Sequence, residues 1–421
     1  MEAGTGEQPL AGPASPAPPP APLAAAARLP ALDALRGLAL LGVVAVNAPI
    51  LLGPDERVFN LPWAESAAPR ALAVMHLLFV GKAYTLLSFL FGAGLALQAG
   101  RLGARAPAVL PRRLAALGLI GAAHGLLLWH GDILAGYALV GLVWYLAFHG
   151  RDAASRARWA LGLFALVPLL ACSAGLAMTV VELVRPDALT KLSAGAVEEA
   201  HAAVAKALAI FGHGTYGELF RHRAGLFLTT WFATFAFLPQ FLALFLAGGW
   251  AVEQGVLSHP GEHEVLLGRV ARAGITLGGV GELVYAWLVH GGVARMSAVT
   301  LGTGLHAASA PALALGLAAA LLLAWARGRA RLLLALAPLG RVSLSAYLGQ
   351  SALFTTIAYA YGLGLYGALA PDACLALAIA TWLAQALLAA LWVSRFELGP
   401  AEWLWRWLTY GRAAPARGAR A

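Results

Sequence analysis

Stretches of about twenty apolar residues, separated by short polar segments, recur from residue 31 to residue 394. A helix rises about 1.5 Å per residue, so each stretch is long enough to cross a hydrocarbon layer of about 30 Å. Inside lipid a backbone amide finds no water. Each crossing must therefore satisfy its own hydrogen bonds, as a helix or within a closed barrel. Long apolar runs without period-two alternation are helices. The expected fold is an all-α, polytopic membrane helical bundle. Composition agrees: hydrophobic residues make up 60% of the chain and charged residues 12%, with mean hydropathy +0.75. Ten spans are expected, over residues 31–52, 71–99, 113–130, 132–149, 159–184, 226–252, 271–291, 302–326, 332–360 and 372–394, with Pro239 a candidate kink in the sixth.

Loop arginines set the expected orientation. With the N-terminus inside, the inner loops carry Arg101, Arg105, Arg112 and Arg113, then Arg151, Arg156 and Arg158, then Arg327, Arg329 and Arg331. The C-terminal tail adds Arg406, Arg412, Arg417 and Arg420, and the short outer loops have few basic residues. Both termini are therefore expected in the cytoplasm. The formal charge of +9 reflects these arginines. They form no basic stripe interleaved with stacking aromatics, so nucleic acid is not an expected partner and the lipid bilayer is. Cys172 and Cys374 lie in apolar segments without metal-type spacing, so no metal site is expected. Residues 1–28 are Pro/Ala-rich and read as a disordered tail, residues 29–396 as the transmembrane domain, and residues 397–421 as a Trp-rich interfacial helix with a basic tail. One long outer loop, 185–225, has the composition of surface helices.

Ionisable groups inside a span cost roughly 2.5–3.5 kcal/mol each, so they turn inward and often mark function. Lys82 lies near the middle of the second span and Glu282 near the middle of the seventh; Glu282 is the natural partner for a buried cation, Lys82 or Arg36. A structural ion pair is the alternative reading. Asp33 and Arg36 share a face at the start of span one, and Asn47 lies three turns further on. The segment "AAHGLLLWHGD" carries His124 in the outer half of span three and His130 and Asp132 at the outer turn. A histidine titrates near neutrality, so His124 is a candidate general base as well as a candidate packed core residue. In "GRVSLSAYLGQS", Arg341 lies near the inner face and Tyr347 and Gln350 deeper, where they can also be packing contacts.

Five segments carry a resemblance: "LDALRGLALLGVVAVN", "GKAYTLLSFLFGAG", "HGLLLWHGDILAGYALVGL", "GRVSLSAYLGQS" and "GPAEWLWRWLTY". In this order and spacing, over about residues 29–411, the chain resembles the YeiB-type bacterial membrane proteins, domain of unknown function 418. That family in turn resembles a wider group of transmembrane acyltransferases, including the acyltransferase-3 enzymes that O-acylate surface glycans and the lysosomal heparan-glucosaminide N-acetyltransferase. The shared element is "LDxLRG" with a polar residue eleven positions after the arginine, here Arg36 and Asn47. Acyltransferase-3 proteins have histidine at the second position; this chain has Asn47, which cannot act as a base.

The resemblance implies an acyltransferase in a bacterial cytoplasmic membrane, with acyl-CoA as co-substrate, no permanently bound cofactor, and an envelope glycan or similar acceptor outside. Within it, His124, Asp132 and Lys82 are the candidate catalytic residues. Arg36, Asn47, Glu282, Arg341, Tyr347 and Gln350 are the candidate substrate-binding residues, and His130 is the incidental member of its turn. The competing class is a transporter or exporter of a small anionic solute; the chain lacks a clear inverted repeat or paired Gly/Pro-broken helices.

Overall fold

The computed structural model describes residues 29–59, 70–290 and 295–411. Every regular element among them is a helix. The tail 1–28 and Arg412, Arg417 and Arg420 lie outside the described residues. The first expected span is α1 (Pro30–Leu52), followed by the single turn α2 (Glu56–Phe59). The second is two pieces, α3 (Arg70–Leu78) and α4 (Lys82–Leu102). Next come α5 (Ala106–Leu127), α6 (Leu134–Phe148), α7 (Ala153–Val184), α8 (Pro186–His213) and α9 (Tyr216–Glu253). After them are α10 (Glu264–His290), α11 (Met296–Ala326), the short α12 (Ala337–Arg341), α13 (Ser343–Ala358), α14 (Pro371–Val393) and α15 (Pro400–Tyr410).

Each of the ten expected spans coincides with a helix or a broken pair of helices. Six helical segments are long and apolar enough to cross a membrane, or seven if the ninth span, bent by 72° between residues 331–341 and α13, is counted as one. One of the six, Arg70–Leu127, holds two expected spans, which turn at Gly103 with φ 48°. Helix α6 falls short with 15 residues. The expected outer loop 185–225, read as surface helices, is α8 followed by the first turns of α9. Thr215 and Glu218 cap each other's backbone there, which starts α9 ten residues before the apolar run and carries it through Pro239 without a break.

Helix α1 runs through the middle of the bundle, and its apolar residues enter three separate buried clusters, through Leu51, Leu40 and Leu32. Small residues bring the other helices to backbone contact. A Cβ on Gly92 of α4 would collide with the Phe245 backbone of α9, and one on Gly248 of α9 with the Phe89 carbonyl of α4. The outer faces of α7 and α14 are the reverse of a soluble surface: Leu161 is 73% exposed, Leu183 79% and Leu387 70%. Contiguous bare leucine on helices of this length is what lipid covers. The chain is a helical membrane protein.

Candidate functional site

The site is built around the turn between α5 and α6. The last carbonyls of α5 have no partner inside the helix and need donors. Arg223, fully buried on α9, supplies them: Nε donates to Leu126 O at 2.8 Å and Nη1 to Leu128 O at 2.9 Å. The chain turns at Gly131, where a Cβ would strike the Trp129 ring. Asp132 then opens α6, its Oδ2 accepting from Ala135 N at 2.8 Å. Its other oxygen lies 2.9 Å from His124 Nδ1.

This turn therefore closes a His–Asp pair, with side chains 1% and 0% exposed. A carboxylate only accepts, so in the neutral imidazole this pairing puts the hydrogen on Nδ1 and the lone pair on Nε2. Nε2 is buried and has no hydrogen-bond partner among the described residues. The Tyr347 ring lies 5.1 Å from the imidazole, centroid to centroid. His130 turns away to Asp55, Nε2 to Oδ2 at 2.8 Å.

Tyr347 is also part of the wall of a cavity of about 390 Å³ bounded by α1, α4, α5, α6, α12, α13 and α15. Its mouth carries Arg36, Arg101, Arg113 and Arg341, with Asp33, Glu397 and Glu402 among them. Leucines and Phe91 line the interior, and the inner end is formed by Ile133, Leu134, Tyr137 and Tyr347. His124 is not a wall residue; Tyr347 lines the cavity and lies against the His124 ring. Arg36 is held by Asp33 at 2.8 Å, and the Arg113 guanidinium stacks 3.6 Å above the Trp405 ring.

Helix α15 forms one side of the mouth by locking onto α13 and α5. Glu402 Oε1 accepts from Leu344 N at 2.7 Å and Ser345 N at 3.2 Å, and Oε2 accepts from Ser345 Oγ at 2.5 Å. In return Ser345 Oγ accepts from Ala401 N at 2.9 Å, and Trp405 Nε1 donates to Arg113 O at 2.8 Å. Glu402 thus caps the N-terminus of α13, the helix that carries Tyr347. Burial pushes the Glu402 carboxyl above its ordinary value, against the lowering effect of these bonds.

A second polar group is separate. Glu282, fully buried, is bonded by Lys82. His306 Nδ1 lies 3.0 Å from its Oε1, and Ser309 Oγ donates to the same oxygen at 2.6 Å. None of these residues lines the cavity.

Of the sequence candidates, the structure joins His124 to Asp132 and places Arg36, Arg341 and Tyr347 around the cavity. It gives Lys82 rather than Arg36 to Glu282. Gln350 sits elsewhere, its Nε2 donating to Gln385 Oε1 at 2.8 Å. Asn47 is half-buried and outside the cavity wall. Sequence reasoning passed over Arg223, Glu402, Ser345, His306 and Ser309, and read Arg101 and Arg113 only as markers of topology. For His306 and Ser309 there was a signal, two polar side chains three apart in an apolar run.

The fold and site define a class: a helical membrane protein whose basic-mouthed cavity ends beside a buried His–Asp pair. Within it, the chain belongs to the DUF418 family, described as protein of unknown function, whose sequence model matches residues 251–412. It is 30% identical over 400 residues to the uncharacterized protein YxaH of Bacillus subtilis (strain 168), covering 89% of this chain and 92% of that one. It is 32% identical over 404 residues to the uncharacterized protein YeiB of Escherichia coli (strain K12), covering 90% and 96%. No solved structure matches the chain. The family match holds Glu282, Arg341, Tyr347 and Glu402, whereas His124 and Asp132 fall before it, within the span shared with the two bacterial relatives.

Proposed function

We propose that the protein is an acyltransferase of a bacterial cytoplasmic membrane, moving an acyl group from cytoplasmic acyl-CoA to an envelope glycan or other outer acceptor. The observation that carries this reading is the buried His124–Asp132 pair, with Nε2 unpartnered among the described residues, behind the inner end of an arginine-mouthed cavity. The donor's phosphates meet Arg36, Arg101, Arg113 and Arg341, whose guanidinium forks match phosphate oxygens. The thioester is delivered to Tyr347. His124 Nε2 takes the proton from an acceptor hydroxyl or amine as its oxygen or nitrogen attacks the carbonyl carbon. Asp132 holds the ring and stabilises the imidazolium that forms. When the C–S bond breaks, the proton passes from His124 to the departing thiolate, giving the acylated acceptor and free CoA.

The test is purified protein with labelled acetyl-CoA and envelope fractions. Label should move to the acceptor, and His124→Ala should abolish transfer. An arginine-lined mouth also suits an anionic solute. If several acyl-CoA donors neither bind nor react while vesicles take up such a solute, the transporter reading replaces this one.

A further inference from the structure

The second span breaks where its most costly residue sits. After α3 the backbone turns at Gly81, φ 80°. Val80 N reaches back to Met75 O at 3.1 Å instead of continuing the α pattern to His76 O. The Lys82 ammonium takes the carbonyl of His76 at 3.0 Å and bonds Glu282 with its other side. A Cβ at Gly81 would lie 2.7 Å from His306 Nε2, so α11 closes directly over the break. Discontinuous helices with ionisable groups at the gap are where membrane proteins hold small ions.

Three donors converge on the Glu282 carboxylate: Lys82, His306 Nδ1 and Ser309 Oγ. The carboxylate is fully buried, but the side chains of Lys82 and His306 keep 8% and 12% exposure. The near side of Glu282 is filled by these groups, which leaves a proton as the ligand they can exchange. With His306 neutral the cluster sums to zero, Lys82 against Glu282. A proton on His306 Nε2 makes a second cation, held by the bond its Nδ1 already makes to Glu282.

A line of imidazoles leads towards the cluster. His290 Nε2 lies 3.1 Å from His76 Nδ1, and the Tyr285 hydroxyl 3.2 Å from the same nitrogen. The Tyr285 ring lies on His306, centroids 4.3 Å apart. His290 is the last residue of α10, eight residues or about 12 Å of helix beyond Glu282, at the end the arginine bias places outside. The titratable groups facing His306 and Glu282 are thus Lys82, Tyr285, His76 and His290, with Tyr84 beyond.

We propose that the Lys82–Glu282–His306 cluster at the α3–α4 break is a proton-binding site, with His306 as acceptor, loaded from the outer face past His290 and His76. Protonation makes His306 compete with Lys82 for one carboxylate, and Lys82 is the group that satisfies the broken backbone, so occupancy is linked to the geometry of the break. This stands whether or not the His124–Asp132 pair transfers acyl groups.

Purified full-length protein, titrated without buffer between about pH 5 and pH 8 with a pH-indicator dye, tests it in the range where an imidazole titrates. His306→Gln keeps an amide donor for Glu282, and His306→Asn is a second such variant. Each should take up one proton fewer per chain than wild type. In rapid acidification, the proton that His306→Gln removes should arrive several-fold more slowly in His76→Phe and His290→Phe backgrounds, a kinetic change that a merely structural role does not produce. Identical titration curves for wild type and both His306 variants would overturn the site. An unchanged rate in both the His76→Phe and His290→Phe backgrounds would overturn the route.

Discussion

Gly121 has no room for a methyl group. A Cβ there would lie 2.7 Å from Asp132 Oδ2 and press on Ala135 N, so Gly121→Ala moves the carboxylate that orients His124. Transfer should fall by about 10²-fold, within the range general-base catalysis contributes, and the thermal midpoint should fall by several degrees because the methyl also presses on the Ala135 backbone. If acyl transfer survives Gly121→Ala while Asp132→Asn abolishes it, the close approach does not position the pair. Arg223 makes the opposite case, stability before chemistry. Arg223→Met strips two carbonyls at the end of α5 of their donors, at about 1–3 kcal/mol for each group left buried and unsatisfied. The melting midpoint followed by tryptophan fluorescence should drop by several degrees and be partly restored in Arg223→Lys. An unchanged midpoint in Arg223→Met would remove the clamp. His124 and Asp132 were legible in the sequence because a titratable group in an apolar run is costly and needs a reason. Arg223 was not, because "FRHR" reads as a basic flank; only the helix that extends α9 into the expected loop buries it.

Helix α15 shows what an element's sequence tells and what it hides. Trp403, Trp405 and Trp407 mark it as interfacial, and on that pattern Glu402 belongs to the wet face. The structure turns Glu402 inward as the cap of α13. No local pattern could say so, because α13 lies more than fifty residues away in the chain. The break between α3 and α4 was hidden for a similar reason: an unbroken apolar run looks like one helix until Gly81 and Lys82 find partners on α11 and α10. The burial of Glu402 has a consequence in pH. Its folded-state carboxyl is raised above the unfolded value, so the protonated form is the one docking favours. The contribution to α15 docking is full below the unfolded value near 4.5 and is lost as pH rises through the folded one. Hydrogen exchange over residues 401–409 should therefore be slower, after correction for intrinsic rates, at acidic than at neutral pH. Glu402→Gln should remove that difference. A wild-type profile flat with pH would show that the capping bonds outweigh burial.

At the scale of the whole molecule, hydropathy carried the fold class because lipid leaves a backbone so few choices. It carried the number of crossings less well. Helix α6 has only 15 residues, and the ninth span bends by 72° into the bundle where Arg341 reaches the cavity. The cavity itself could not be read in advance, since seven helices from both halves of the chain enclose it. It is nevertheless the feature on which the proposed acyl transfer depends, and one glycine allows it to be filled without touching His124 or Asp132. Gly94 lines the cavity, and a Cβ there would meet only Arg36 Nη2, at 3.5 Å. Gly94→Trp places an indole in that space. Replacing a glycine inside a helix also relieves about 0.5–1 kcal/mol of backbone entropy, so the folded state should not suffer. Binding of CoA to the purified variant, followed by calorimetry, should be lost together with acyl transfer. The proton uptake of the His306 cluster, whose residues lie off the cavity wall, should match wild type. A Gly94→Trp protein that folds, binds CoA and transfers label like wild type would mean that the donor does not travel through this cavity, and that the arginines at its mouth serve topology alone.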